Sequence, residues 1–412
     1  MKKTILHVDI NSYFATILQQ ENPLLRGKPL GVIKDVGRTC LIATSKEAKQ
    51  KGIGTGMGKS DALTICPDIV LIPAAFDRYL DTTRRMQKVF KNVSPSVYIY
   101  SLDEAFIDVT HCRKNLYPDA IELGEMIQDS IKIELGSWVT SNVGIADCRF
   151  MAKMASETAP KGGVLEVTEE NKDLILATTE FKDVCGVGHA LAKKLKLLGV
   201  TVPYQIRFVP EADLNSLFGP FWSKELLKIA YGQETHLLGQ LDRKVDHMKS
   251  VGRSITGYRL YKDQTEITNI LKNLCIEIVA KVRKMDLSGR QVSLGLYGQH
   301  KYWSTHITLK APINHLKDLI HWVNMLYQRW EDRFSVIKFA VRLSILKEDL
   351  QQELLPDWQK QEALQKAMDL VNNKFGIFTL HPAAIPPKNE LIYPEVTGFL
   401  GDRIYQLNPR HH

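Results

Sequence analysis

Three carboxylates give this sequence its readable chemistry: Asp9, near the start, and the adjacent pair Asp103 and Glu104. Side chains alternate across a strand, so neighbours such as 103 and 104 can reach one centre only at a strand end or turn. Carboxylate oxygens suit Mg2+, and two ions held by shared carboxylates clamp the attacking and leaving oxygens of a displacement at phosphorus. Acidic pairs are common on protein surfaces, and only their surroundings single these out.

Thr4 to Asp9 reads as a buried strand, with Asn11 or Ser12 placed to cap a following helix. Val97 to Leu102 and Ala105 to Val109 read as strands meeting at the acidic pair. Strands at Val32-Ile33 and Leu41 to Thr44 precede a helix from Ser45 that Gly52 ends. Phe76 to Phe90, about Leu116 to Leu135 and about Cys148 to Glu157 read as helices, with a strand around Val139 to Ile145. This alternation predicts an α+β sheet domain, closed by the breaker Pro160-Lys161-Gly162-Gly163. Thr168 to Leu238 lacks strand alternation and reads as helical, and Asp242 to Asp246 as a linker. From Lys249 to Leu346 the order is β-α-β-β-α-β, the split ferredoxin-like motif with two helices on one face. A helix from Gln359 to Phe375 leads into a Pro-rich tail.

Around the carboxylates, Leu6 to Ala15 (LHVDINSYFA) resembles the first motif of Y-family translesion DNA polymerases, and Tyr100 to Asp108 (YSLDEAFID) resembles that family's catalytic motif. Val143 to Ala146 followed by Phe150 to Ser156 is similar to its third palm segment, and the resemblance runs from about Met1 to Pro382. It implies a right-hand polymerase: a ferredoxin-like palm over 1–10 and 77–166, fingers over 11–76, a helical thumb over 167–240, a little finger over 241–348 and a tail over 349–412. Asp9, Asp103, Glu104 and the Ile10 carbonyl would hold two Mg2+ ions, with Glu104 beside the attacking primer 3′-hydroxyl. Phe14 would be a steric gate beneath the sugar, with Tyr13 packed beside it. Thr44, Lys46 and Lys49, in a stretch resembling the fingers motif, would face the triphosphate. Relatives often carry Tyr where Lys46 stands, and Arg is common at Lys49; a Lys usually precedes the Pro160 position, whereas here Ala159 precedes it and Lys161 follows, so Lys161 is the candidate for that phosphate contact.

Val184 to Ala190 (VCGVGHA), leading into a helix, resembles a helix-hairpin-helix, in which Gly186 and Gly188 let backbone amides face a DNA phosphate and Lys193 follows. The chain carries 54 Lys and Arg against 46 Asp and Glu, a net charge of +8. Asp242 to Lys347 holds an excess of +10, leaving the rest slightly acidic, so the last sheet domain is the expected grip on primer-template DNA. Lys249, Arg253, Arg259 and Arg342 are its candidate phosphate contacts. Gln352, Leu354 and Leu355 form a candidate peptide for a sliding clamp, a polar linker being the other reading. Six scattered cysteines without short paired spacing argue against a zinc site or a disulfide scaffold and fit a reducing cytoplasm. No apolar run is long enough to span a bilayer, and the first residues read as a strand, not an export signal. The expected protein is a monomeric, low-fidelity polymerase taking deoxynucleoside triphosphates. The alternatives are a palm-domain nucleotidyl cyclase and a non-catalytic DNA-binding or polymerase-recruiting protein.

Overall fold

The computed structural model describes residues 3–33, 40–112, 119–238, 249–348, 356–376 and 379–381. These fall mainly into two compact units, one within residues 3–33 and 41–238 and the other from 249 onward.

The first unit begins with β1 (Ile5–Ile10) and α1 (Tyr13–Glu21), then β2 (Leu30–Ile33), β3 (Leu41–Thr44), α2 (Lys46–Gln50), α3 (Lys59–Ile65) and β4 (Val70–Pro73). It continues through α4 (Phe76–Val93), β5 (Val97–Ile99), β6 (Glu104–Asp108), α5 (Ala120–Leu135), β7 (Ser141–Ala146), α6 (Arg149–Thr158) and β8 (Val164–Glu166). The larger sheet has the order β5-β6-β1-β7-β8, so β1 is central and antiparallel to both neighbours. Alternation then divides its side chains. Leu6, Val8 and Ile10 are buried with residues of α4 and α5, while His7 and Asp9 face the opposite side. On that side α6 lies against the sheet, and Gly144 of β7 makes the close approach possible: a Cβ there would collide with the Ala152 carbonyl.

The smaller sheet, β3-β2-β4, includes a parallel pair, β2 with β4. Neither β4 nor β8 is marked in the sequence pattern. Ser45 caps α2 as its sequence position suggests, its Oγ accepting from the Ala48 amide (3.3 Å). Ser12 stands at the start of α1 but does not cap it. It lies in the left-handed region (φ 51°) and its side chain makes no capping bond.

A helical segment follows, with α7 (Lys172–Thr178), α8 (His189–Leu197) and α9 (Glu211–Ala230) joined by short 3-10 turns. α9 is broken at Gly219 (φ 78°), just before Pro220. The second unit runs β9 (Ser250–Tyr261), α10 (Gln264–Lys284), β10 (Leu287–Tyr297), β11 (Tyr302–Ile313), α11 (Leu316–Gln328), β12 (Val336–Glu348) and α12 (Pro356–Phe375). Its sheet order, β11-β10-β12-β9, inserts β12 between β9 and β10, the split arrangement expected of the β-α-β-β-α-β order. Apolar residues of α10 and α11 pack on this sheet to form the unit's core. No described helix is long and apolar enough to cross a membrane.

Candidate active site

The antiparallel ladder puts Asp9 directly opposite Glu104 on one side and Asn142 on the other. The turn before β6 brings Asp103 alongside, its carbonyl accepting from the Ile10 amide at 3.0 Å. All three carboxylates therefore gather at one end of the sheet, half-buried. They do not converge as a finished cage: among the described residues no three acidic, His or Cys side chains meet with cation-holding geometry. Internal donors hold Asp103 and Glu104 instead. The Ser101 hydroxyl donates to Asp103, while Lys153 Nζ reaches Glu104 Oε2 at 2.5 Å and His7 Nε2 lies 2.9 Å from the same oxygen.

These surroundings separate the three groups electrically. Burial, and then the charges of Asp103 and Glu104, push the Asp9 carboxyl up to about 8. Asp103 is also raised, chiefly by burial. Burial would raise Glu104 too, but the His7 hydrogen bond and the Lys153 charge outweigh it and hold this carboxyl at about 2. Burial likewise lowers the His7 pKa, and the ring's Nδ1 lies 2.6 Å from Ser156 Oγ. Three carboxylates and the Ile10 carbonyl make a set of hard oxygen donors, and the repulsion felt by Asp9 is the imbalance a divalent cation relieves, so the residues fit a hard divalent cation. Neither His7 nor Lys153 was singled out as a site residue in the sequence. A signal existed for each: His7 shares Asp9's face of β1, and Lys153 is a lone charge in the apolar run Phe150-Met151-Ala152-Lys153-Met154-Ala155.

On the nucleotide side, Phe14 is partly buried at the start of α1, with the Tyr79 ring 4.3 Å behind it. Tyr13 packs beside Phe14, the two ring centroids 5.5 Å apart. It is 3 % exposed, and its hydroxyl donates inward to the Tyr79 carbonyl (2.7 Å), so it belongs to the core and not to a nucleotide surface. α1 turns one neighbour in and the next partly out, which spacing from Asp9 alone could not decide. Thr44 is buried, and its hydroxyl has no hydrogen-bond partner among the described residues. Lys46 and Lys49 are exposed. Lys49 Nζ donates to Ser12 Oγ (2.9 Å); desolvation and then the charge of Lys161 lower its pKa, while Asp9 pulls the other way. Lys49 and Lys161 therefore belong to one electrostatic cluster with Asp9. The turn bearing Lys161 is pinned by Asn142 Oδ1, which accepts from the Gly162 amide (2.8 Å), and by Gln128 Nε2, which donates to the Gly162 carbonyl (3.2 Å).

Among the candidate DNA contacts, Gly186 (φ 87°) and Gly188 are exposed in the hairpin before α8, with Lys193 exposed on that helix. Lys249 and Arg342 are exposed on the second unit, as is Arg259, whose guanidinium pairs with Glu266 (2.5 Å). Arg253 does not stand on the surface as a phosphate contact would. It points with Val251 and Ile255 into the core at 8 % exposure, and its Nε donates to Glu277 (2.7 Å), itself 1 % exposed. Strand alternation puts it on the helix-covered face, where it neutralises a buried carboxylate. Gln352, Leu354 and Leu355 lie outside the described residues.

Residues 8–157 match the profile of the impB/mucB/samB family, and residues 248–355 match that of the impB/mucB/samB family C-terminal domain. A DNA polymerase IV of Clostridioides difficile is 31 % identical over 322 residues, covering 77 % of this chain and 84 % of the relative. DNA polymerase IV 1 of Bacillus subtilis is 26 % identical over 397 residues, 94 % of each chain. Among solved structures, a Y-family DNA polymerase chimera, Dbh-Dpo4(243-245)-Dbh, shares the fold with a TM-score of 0.72 at 22 % identity, covering 83 % of this chain and 98 % of the other.

Proposed function

This chain belongs to the impB/mucB/samB family of Y-family DNA polymerases, and from that premise we propose how its residues divide the work of primer extension. It is a DNA-directed DNA polymerase of the translesion class, which adds deoxynucleotides to a primer 3′-hydroxyl on a template. The cyclase and recruiting-protein readings drop away with that membership. Asp9, Asp103, Glu104 and the Ile10 carbonyl hold the divalent cations, Mg2+ by the donor set. When bound, these ions stabilise the charge that develops at the α-phosphate. Lys153 and His7 keep Glu104 ionised and fixed on the α6 side of the sheet.

Phe14 excludes a 2′-hydroxyl from beneath the sugar. Lys46, Lys49 and Lys161 neutralise the triphosphate, Lys161 standing in for the lysine that relatives carry one residue before the proline. The amides of Gly186 and Gly188, with Lys193, hold backbone phosphates, and Lys249, Arg259 and Arg342 hold the duplex from the little finger. The palm, fingers, thumb and little finger take the boundaries given above, the enzyme acts as a monomer in the cytoplasm, and Gln352, Leu354 and Leu355 engage a sliding clamp. A labelled peptide spanning residues 349–360, titrated with the host clamp, tests this last assignment; binding that survives Gln352→Ala and Leu355→Ala counts against it.

The observation that carries this reading is the ladder that sets Asp9 against Glu104, with Asp103 beside them and Lys49 and Lys161 in the same electrostatic cluster. Asp103→Ala and Glu104→Ala should each abolish nucleotide addition while primer-template affinity changes little. Near-normal extension by both would overturn the assignment.

A further inference from the structure

Trp138 sits in the turn between α5 and β7, outside every motif quoted above, yet three segments of the fingers converge on it. Its backbone amide donates to Gln20 Oε1 (2.9 Å) and its ring Nε1 donates to Gln19 Oε1 (3.2 Å), both on α1. Arg26, in the turn after α1, lays its guanidinium 4.8 Å from the ring centroid and donates through Nε to the Gln19 carbonyl (2.9 Å). Lys46, the first residue of α2, holds its ammonium 6.0 Å from the same ring. Gln19 closes the circle: it is 3 % exposed, and its Nε2 donates to the Leu25 carbonyl (3.2 Å) and to Glu47 on α2 (3.3 Å). The turn itself is shaped for this contact, since Gly136 takes φ 110° and a Cβ there would collide with the Gln20 amide.

We propose that Trp138 is a positioning residue for nucleotide binding: it docks the fingers on the palm and sets where Lys46 stands towards the triphosphate. The ring offers a π face to two cations, and its N–H engages the glutamine that links α1 to α2, so one palm side chain fixes both the fingers' placement and the direction of their leading lysine. A lysine on a flexible stem gains most from such a guide, because immobilising it on binding otherwise costs side-chain entropy. The inference rests on Lys46 meeting the triphosphate, as proposed above.

Steady-state primer extension with the full-length enzyme tests it, using Trp138→Ala, Trp138→Phe, Lys46→Met and the double variant Lys46→Met/Trp138→Ala. Trp138→Ala should raise the deoxynucleotide KM roughly fivefold, about 1 kcal/mol, with kcat and primer-template affinity within about twofold. Trp138→Phe should restore most of the lost affinity, and the double variant should bind nucleotide no worse than Lys46→Met alone. Equal changes in KM for Trp138→Ala and Trp138→Phe, or additive effects in the double variant, would overturn the inference. If Trp138→Ala fails to fold, Trp138→Leu keeps the apolar bulk without the ring face or N–H, and the same KM rise is expected. An unchanged KM for Lys46→Met removes the triphosphate role of Lys46 and the premise with it. A KM raised by Lys46→Met but not by loss of the ring overturns the role of Trp138 alone.

Discussion

Replacing Asp9 by Asn should stabilise the cation-free enzyme, and by an amount that grows with pH. In the fold this carboxyl titrates at about 8, because it is buried and because Asp103 and Glu104 repel its charged form, against 3.8 for the free side chain. The folded state thus holds a proton that the unfolded chain gives up between about pH 4 and pH 8, so stability falls as pH rises through that window and levels off above it. At ~1.4 kcal/mol per pH unit the ceiling is about 6 kcal/mol, and relaxation around the charge should leave on the order of 2–3 kcal/mol. Asn keeps the shape without the charge. Urea unfolding in EDTA at pH 5, 7 and 9 should show the gain of Asp9→Asn rising steadily, with little difference near pH 4. Millimolar Mg2+ should stabilise the unsubstituted protein more than the variant, since ligand bound only by the folded state adds directly to stability. A gain equal at pH 5 and pH 9, or a loss at pH 9, would refute the reasoning.

Phe14→Ala should raise ribonucleotide incorporation relative to deoxynucleotide roughly tenfold or more, each tenfold being ~1.4 kcal/mol of lost steric exclusion, measured with matched nucleotide pairs. Arg253→Ala should cost about 3–5 kcal/mol in urea unfolding, because it strands Glu277 in the core; unchanged stability with weakened DNA binding would return Arg253 to the phosphate contacts. Lys249→Ala and Arg342→Ala should each weaken DNA binding uniformly across sequences and flatten the plot of log affinity against log salt by about one, read by anisotropy; unaltered slopes would remove them from the DNA interface.

Most of the order of elements, though not α3, β4 or β8, and the family were legible in the sequence because they are written in short-range patterns. Alternation, caps and breakers sit within a few residues of what they decide, and the strand holding Asp9 and the turn-to-strand junction holding Asp103-Glu104 could be named from their own neighbours. The same patterns placed β3 at Leu41–Thr44 and the six elements from β9 to β12 to within a few residues. What the sequence could not rank is which side chains meet across distant segments. Glu104 is held by His7, 97 residues away, and by Lys153 on a helix that reaches the sheet only because Gly144 lacks a side chain. Tyr13 and Phe14 are adjacent aromatics, and the packing of α4 against α1 fixed how deeply the first is buried, its hydroxyl reaching the Tyr79 carbonyl. Arg253 reads as one basic residue among many until β9 pairs with β12 and α10 covers that face. Trp138 has no pattern at all around it; its partners lie about 90 to 120 residues earlier, and the closure of the sheet decided that they would meet. Local spacing fixes what each segment is, whereas burial and charge pairing are properties of pairs that only a closed tertiary fold selects.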